Sequence, residues 1–303
     1  MKIGVIGVGN IAKKAYLPTY AQHQGEEDFY FATRNPETQQ QLKESYGFTN
    51  IYTTLDELIA HNIDACFIHA ATPAHYALAK QCLMNNIHVC IDKPLSTSVR
   101  EVAELQELAE EKGLYLMIGF NRRFAPMTQR LKEIPEKRLI QIQKNRVDAH
   151  EQTEYVIYDL FLHAVDTAVY LLDEPIQHVT SKIIEQSEEL QLAMLTLETD
   201  SSTAIVTMDL RSGANTETYQ VTSPKGTYIL KDLTNLTIQD ITGVQTVAFG
   251  DWETTLYKRG FAPMVEEFLK VLHQEDGDIK QKNTLLSHKL CAQMIREHTR
   301  HQL

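Results

Sequence analysis

The sequence predicts an α/β protein: a doubly wound parallel sheet followed by a second, α+β domain with an open, largely antiparallel sheet. Three observations predict this class. Up to about residue 120, short apolar strands alternate with amphipathic helices, as in a parallel sheet covered on both faces. A glycine-rich turn follows the first strand directly. From residue 176 to 249 most segments read as strands joined by turns, which indicates an antiparallel sheet.

The first strand, Lys2 to Ile6, leads into the motif Gly7-Val8-Gly9-Asn10-Ile11-Ala12. Gly7 and Gly9 suit a tight turn, a helix is expected from about Asn10, and Ala12 takes the third small position of the G-x-G-x-x-G/A pattern. The first N–H groups of such a helix favour a pyrophosphate. The motif therefore predicts dinucleotide binding, and the alternative is a plain glycine turn.

The end of the second predicted strand bears on the choice of nucleotide. An Asp or Glu about 20 residues past the glycines would bind the ribose 2′-OH of NAD. This chain has Thr33 and Arg34 there, so no carboxylate repels a 2′-phosphate and Arg34 supplies a charged fork. NADP(H) is favoured and NAD(H) remains possible. In the alternative interpretation, Arg34 stacks on adenine or points into water.

Two further loops follow strands that should end at the same edge of the sheet. Ala71-Thr72-Pro73 opens a helix with Thr72 as N-cap and Pro73 at N1, and His75 lies in its first turn. The next strand ends in Asp92-Lys93-Pro94. Ligands of doubly wound sheets bind at this edge, so these residues are predicted to contact the cofactor. A solvated helix position is the alternative for His75.

The alternation of strands and helices ends near Gly119. We therefore expect a Rossmann domain over residues 1–120 and a substrate and oligomerisation domain over residues 121–303. Asn121 and Arg122 follow the last parallel strand and are predicted to line the nicotinamide side of the site. Arg122 or Arg123 could instead meet an anionic substrate. The alternative for either arginine is a salt bridge at the domain boundary.

A predicted helix over residues 155–172 carries Asp159 and His163 four residues apart, on one face, with Asp166 three residues beyond. A histidine flanked by carboxylates is held in one tautomer and has its pKa raised. A solvated helix surface is the alternative, but the apolar neighbours leave little room for it. Asp166 is assigned to structure or to orienting His163.

Composition excludes several classes of function. The net charge of −11 argues against nucleic acid and anionic membranes as partners. We expect a cytoplasmic protein, because we find neither an apolar run of membrane length nor a signal-peptide pattern. Cys66, Cys82, Cys90 and Cys291 form no paired motif. They are therefore expected to be reduced and structural, with no metal bound.

Four motifs in order resemble the Gfo/Idh/MocA oxidoreductase family: the glycine motif, Asp92-Lys93-Pro94, Gly119-Phe120-Asn121-Arg122-Arg123-Phe124 and Asp159-x-x-x-His163. Phe67-Ile68-His69 and Arg259-Gly260-Phe261 are similar to its MviM-type branch. The resemblance implies reversible oxidation of a secondary alcohol of a sugar or polyol. It also implies a catalytic set at Lys93, Asp159 and His163, and a homodimer or homotetramer formed through the open sheet.

The chemical requirements of alcohol oxidation agree with the roles implied for Lys93, Asp159 and His163. His163 is the best base, Lys93 would stabilise the developing alkoxide, and Asp159 would orient the substrate or His163. Further substrate contacts could come from side chains that have equally ordinary structural explanations: Lys144, Asn145, Arg146, Trp252 and Tyr257. Two other functions stay open. One is a nucleotide-binding sensor without turnover, and the other is a glycosidase that recycles bound NAD.

Overall fold

The computed structural model describes residues 1–302 and divides the chain into two compact units. The first unit comprises Met1–Gly119 and Phe261–Gln281, and the second comprises Phe120–Gly260 and the chain from Lys282 onward. Among the helices within residues 1–302, none is long and apolar enough to cross a membrane.

The first unit is built on six parallel strands. They are β1 (Lys2–Ile6), β2 (Asp28–Ala32), β3 (Asn50–Tyr52), β4 (Ala65–Ile68), β5 (His88–Ile91) and β6 (Leu116–Ile118). The spatial order is β3-β2-β1-β4-β5-β6, so the direction of winding reverses between β1 and β4. Ligands of open α/β sheets bind at the carboxyl edge beside this reversal. The predicted doubly wound sheet is confirmed.

Short helices connect these strands. They are a π-helical segment (Ala12–Tyr16), α1 (Leu17–Gln22), α2 (Pro36–Tyr46), α3 (Leu55–Ala60), α4 (Thr72–Met84) and α5 (Val99–Glu111). Thr54 and Glu57 form a capping box at the start of α3. The prediction for α4 was wrong by one residue. Ala71 is the extended N-cap, and Thr72 is already helical because Pro73 is accommodated anywhere in the first turn.

The second unit holds an eight-stranded sheet. Its strands are β7 (Leu139–Val147), β8 (His178–Gln186), β9 (Glu189–Glu198), β10 (Thr203–Ser212), β11 (Thr216–Ser223), β12 (Gly226–Lys231), β13 (Asn235–Asp240) and β14 (Gly243–Val247). The order is β14-β13-β12-β11-β7-β10-β9-β8. Among the described strands of this second sheet only the β7–β10 pair is parallel, which confirms the open, largely antiparallel sheet.

The helices of the remaining chain are a 3₁₀ turn (Asn121–Phe124), α6 (Pro126–Lys132), α7 (Thr153–Val156), a π-helical segment (Ile157–Phe161), α8 (Leu162–Leu171), α9 (Thr255–Lys258), α10 (Phe261–Leu272) and α11 (Thr284–Gln302). In the second unit, α8 packs on β7 and β10, and α11 packs on α8 and β8. One face of the sheet is therefore covered by helices, and the inward side chains of β9 and β10 form its core.

The helix α10 differs from the sequence expectation, which assigned all of residues 121–303 to the second domain. It belongs to the first unit instead. Phe268 packs edge-on against Phe67, and Phe261 packs in the same way against Tyr16. The side chain of Gln281 accepts a hydrogen bond from the N–H of Ile118 at 2.8 Å, which satisfies the edge strand β6. These contacts make the first unit discontinuous in sequence.

Candidate active site

The glycine turn after β1 is held against the loop that follows β4. Gly7 has φ of 88°, and a Cβ atom there would lie 2.3 Å from the backbone nitrogen of Ala70. Only glycine fits both requirements. The helix begins at Asn10, and Ala12 is fully buried against the sheet, while Gly9, Asn10 and Ile11 are exposed. The turn therefore presents an exposed helix N-terminus beside the winding reversal, with the geometry a pyrophosphate requires.

Thr33 and Arg34 lie at the same edge, because β2 pairs in parallel with β1. Arg34 is exposed. The carbonyl of Thr33 accepts a hydrogen bond from the Gln39 side chain at 2.8 Å, and Asn35 caps α2 through the N–H of Thr38. These contacts fix the backbone of the loop while the guanidinium of Arg34 reaches solvent. A bound 2′-phosphate is compatible with this arrangement.

His75 has a different role from the one predicted. It is buried, with 1% of its surface exposed. Its Nδ1 lies 2.8 Å from the carbonyl oxygen of Pro94, and its Nε2 lies 2.8 Å from that of Ala70. Both ring nitrogens are thus engaged by backbone, so the structure does not support the predicted contact of this ring with the cofactor. The polar ring instead connects the loops that follow β4 and β5.

Asp92, at the end of β5, belongs to a buried polar network that the sequence did not reveal. Its carboxylate accepts a hydrogen bond from the hydroxyl of Tyr16 at 2.6 Å and lies 3.0 Å from Nδ1 of His69. Nε2 of His69 lies 2.8 Å from the hydroxyl of Tyr20. Burial alone would raise the pKa of Asp92, but the charge and hydrogen bonds of His69 and the Tyr16 hydroxyl outweigh it and lower that pKa.

Lys93 follows this anchored aspartate and precedes Pro94, which is buried. The lysine itself is partly exposed. Because β5 is the neighbour of β4 in the sheet, its loop ends at the same edge as the glycine turn. The structure therefore brings the cofactor residues predicted in the first unit, apart from His75, to one edge. The edge comprises Gly7, Gly9, Asn10, Ile11, Ala12, Thr33, Arg34, Ala71, Thr72, Pro73, Asp92 and Lys93.

In the second unit, Asp159 and His163 lie where the π-helical segment passes into α8. Both are partly exposed, although the helix around them is mostly buried. This burial rules out a simple solvated surface for the pair. π-Helical segments inside α-helices occur frequently at functional sites, because the extra residue turns a side chain out of the regular packing.

Tyr155, one turn before Asp159, was missed by the sequence analysis. The charge of Asp159, partial burial and the hydrogen bond that the tyrosine hydroxyl donates to Asp159 raise the pKa of Tyr155. The i, i+4 spacing was the available signal, but a single tyrosine at that spacing is common on helices.

Asp166 has the structural role considered for it. Its carboxylate binds Arg123 through two hydrogen bonds, of 2.6 and 2.8 Å, and also accepts one from Ser287. Arg123 and Asp166 are both 1% exposed. This buried pair ties the 3₁₀ turn to α8, and for Arg123 it matches the salt-bridge alternative rather than an anionic substrate.

Arg122 forms a second buried ion pair. Its guanidinium binds both carboxylate oxygens of Glu217, at 2.6 and 3.0 Å, and the hydroxyl of Tyr219 donates to the same carboxylate at 2.5 Å. Asn121 is also buried and donates to the carbonyl of Arg259 at 2.7 Å. These contacts match the salt-bridge interpretation of Arg122. A contact of Asn121 or Arg122 with the nicotinamide stays a prediction.

The remaining candidate substrate contacts lie on β7 and near α9. Lys144 is buried and lies opposite Glu217 across the β7–β11 pair, and Asn145 is also buried. A solvated strand end is therefore excluded for Lys144. Trp252 lies in a loop and is 98% exposed, so it does not pack in the core. Tyr257 is partly exposed on α9.

Comparison with known proteins identifies the class. Residues 1–120 match the model of an oxidoreductase family with an NAD-binding Rossmann fold, Gfo/Idh/MocA, and residues 126–240 match the YceM-like C-terminal domain. The protein designated as oxidoreductase YceM of Salmonella typhimurium is 29% identical over 91% of this chain and 90% of its own length. A dehydrogenase (MviM) from Clostridium difficile superimposes with a TM-score of 0.90 at 27% identity, over 98% of this chain and 99% of its own.

A Gfo/Idh/MocA family oxidoreductase from Vibrio cholerae also superimposes with a TM-score of 0.90, at 28% identity over 100% of this chain and 99% of its own. Residues 1–120 thus belong to the Gfo/Idh/MocA oxidoreductase family, and a YceM-like C-terminal domain follows them. The first unit of the chain is an NAD-binding Rossmann domain, and the glycine turn packed on Ala70 is the part of the structure that fits a nicotinamide dinucleotide.

Proposed function

We propose that the protein is an NAD(P)-dependent oxidoreductase that acts on CH–OH groups. It would transfer a hydride between the nicotinamide and a secondary alcohol or ketone of a sugar, polyol or similar small molecule. The observation that carries the proposal is the glycine turn, because its positive φ and its close approach to Ala70 leave an exposed helix N-terminus at the winding reversal.

Three side chains of this chain would perform the chemistry. In the oxidation direction, the imidazole of His163 takes the proton of the substrate hydroxyl, while the C–H electron pair leaves as a hydride. The ammonium of Lys93 donates to the substrate oxygen and stabilises the charge that develops there before the C=O bond forms. Asp159 orients the substrate or His163. The nicotinamide supplies the hydride acceptor.

NADP(H) is the nucleotide that we favour. Arg34 is exposed at the end of β2, and the capped start of α2 fixes the loop that carries it. A guanidinium binds phosphate bidentately, whereas the ribose hydroxyl of NAD is normally held by a carboxylate at this position. The first acidic residue after Arg34 is Glu37, in the first turn of α2. No carboxylate therefore directly follows β2 in the sequence.

Relatives support the class of substrate. Myo-inositol 2-dehydrogenase of Thermotoga maritima is 28% identical over 71% of this chain. Its substrate is a cyclic polyol, and its reaction is the oxidation of a secondary alcohol. We propose the same class of substrate for this chain, but not the same polyol.

A turnover screen tests the proposal. The full-length protein is assayed with NADP⁺ and NAD⁺ against cyclic polyols, aldoses and their keto forms, and the reduced nicotinamide is followed by its absorbance. Once a substrate is found, His163→Ala should lower kcat by about 100-fold or more while nucleotide affinity stays unchanged. His61→Ala, at an exposed position directly after α3, is the matched control. Tight nucleotide binding with no turnover of any compound would favour the sensor instead.

A further inference from the structure

His75 connects two loops through contacts that are unusual for a neutral histidine. Its two ring nitrogens face two backbone carbonyl oxygens, of Ala70 and Pro94, both at 2.8 Å. Carbonyl oxygens only accept hydrogen bonds. A neutral imidazole has one N–H donor and one acceptor nitrogen, whereas the imidazolium has two donors. Both contacts are hydrogen bonds only when both ring nitrogens carry a proton.

The two carbonyls belong to the loops on which the proposed reaction depends. The backbone of Ala70 is the surface against which Gly7 packs, so its position sets the position of the glycine turn. Pro94 directly follows Lys93. His75 itself is fixed in the first turn of α4 and is 1% exposed. One ring therefore couples the pyrophosphate turn to the lysine loop.

We propose that His75 is a positioning residue whose imidazolium form holds the loops after β4 and β5 in the geometry that binds the dinucleotide and places Lys93. Loss of one ring proton turns one of the two bonds into a contact between a nitrogen lone pair and a carbonyl oxygen. One loop is then released. The effect of His75 on nucleotide binding and on Lys93 rests on the proposed function, whereas the geometry of the ring does not.

The charged groups around the ring are consistent with a cation. Asp92, at the end of β5, is the nearby anion: burial would raise its pKa, and the charges of His69 and, more weakly, of His75 lower it. His69 of β4 binds the same carboxylate. Lys93 adjoins Pro94 and opposes a cation. On α4 and α5, Lys80 and Glu104 form their own ion pair at 2.7 Å.

The count of ring protons tests the geometry directly. The full-length protein is labelled with ¹⁵N-histidine, and the ring signals of His75 are identified by their absence in His75→Gln, or by their contacts with Pro94 if that variant does not fold. We expect two slowly exchanging ring N–H protons at the pH at which NADPH binds most tightly. One protonated and one unprotonated ring nitrogen at that pH would overturn the inference.

The pH dependence of NADPH affinity tests the consequence. Glutamine at position 75 offers a single donor group, so His75→Gln should bind NADPH about tenfold more weakly than the wild type at low pH. The ratio of the two affinities should approach one at higher pH, where the ring of His75 has lost one of its two protons. Using the ratio removes the titration of the nucleotide's own phosphates. His23→Gln, at a partly exposed residue that contacts Glu26, should keep the wild-type profile.

The outcomes separate the two proposals. Equal affinity and equal pH profiles of the wild type and His75→Gln overturn the role of His75 and leave the oxidoreductase proposal standing. Absence of NADPH and NADH binding by the wild type contradicts the proposed function. The count of ring protons still decides the protonation state of His75 in that case.

Discussion

Glu217 is a residue whose charge is coupled to folding. Burial alone would raise its pKa, but the charge and the bidentate hydrogen bonds of Arg122 outweigh burial and hold the pKa well below the ordinary value. A depressed pKa in the folded state stabilises the protein above the unfolded pKa of about 4.3, and this contribution is lost as the pH falls below it.

We therefore expect Glu217→Gln to lower the free energy of unfolding by about 3–5 kcal/mol at pH 7, because Arg122 is left as a buried charge without its carboxylate. The difference from the wild type should shrink as the pH falls below about 4.3. Denaturant unfolding at several pH values measures both effects. Glu198→Gln, at an exposed position on β9, should show neither. A difference independent of pH would contradict the assignment.

The sequence was sufficient to predict a residue whose type has one strong conformational preference. It was not sufficient to predict contacts between residues that are distant in the chain. Gly7 needs a left-handed backbone conformation, and the sequence pattern alone predicted its turn. The partners of Arg122 and His75 lie 95 and 19 residues away. Only the packed sheet brings them together, so the sequence left salt bridge and ligand contact as equal alternatives for Arg122.

The turn between β1 and the first helix is the element on which cofactor binding depends. Gly7→Ala should lower the free energy of unfolding by about 2 kcal/mol or more, because an L side chain there is strained and meets the backbone of Ala70 at 2.3 Å. Gly9 has no heavy atom within 4 Å of a Cβ placed on it. We expect Gly9→Ala to keep wild-type stability and to lose nucleotide affinity, because its methyl group occupies the exposed approach to the turn.

Thermal unfolding and equilibrium nucleotide titration of both variants separate the two effects. Unchanged NADPH affinity in Gly9→Ala would contradict a pyrophosphate bound at this turn. Gly25→Ala provides a control, because it is also a glycine of the first unit with open space around its Cβ position, and it should change neither property.

Helices and strands with a regular spacing of apolar residues were predictable, and irregular elements were not. Strand β7 (Leu139–Val147) is an example, because its first half alternates buried Ile140 and Ile142 with exposed glutamines. The helix predicted over residues 155–172 is instead α7, a π-helical segment and α8. A π turn adds one residue to a helix without changing its composition, so hydrophobic spacing does not reveal it. That turn contains Asp159 and directly precedes α8, which carries His163.

On the scale of the whole molecule, the open sheet leaves apolar side chains on the face turned away from α8. Ile184 on β8 and Met194 on β9 are 44% and 36% exposed and share this face by register. We propose a homodimer or homotetramer that covers it. Light scattering should give a mass of two or four chains, and Ile184→Glu should lower it. Met84→Glu, at an exposed residue of α4 in the first unit, should not. A monomeric wild type would contradict the proposal.

The first unit takes part of its chain from beyond residue 120. The change of pattern near residue 120 coincides with the junction of the units at Gly119 and Phe120, but the return of α10 to the first unit was not foreseen. An amphipathic helix shows that it packs against something apolar without showing what. The contact between Phe268 and Phe67 depends on residues about 200 positions apart, which periodicity cannot connect.

The most direct test of nicotinamide nucleotide binding is an equilibrium titration of the purified, nucleotide-free protein with NADPH and with NADH. We expect tighter binding of NADPH by about tenfold or more, and equal affinities in Arg34→Ala, because one charge-assisted phosphate contact accounts for the difference. Tighter binding of NADH would keep the oxidoreductase and refute the roles of Thr33 and Arg34. Binding of neither nucleotide would contradict both the proposed cofactor site and the proposed oxidoreductase activity.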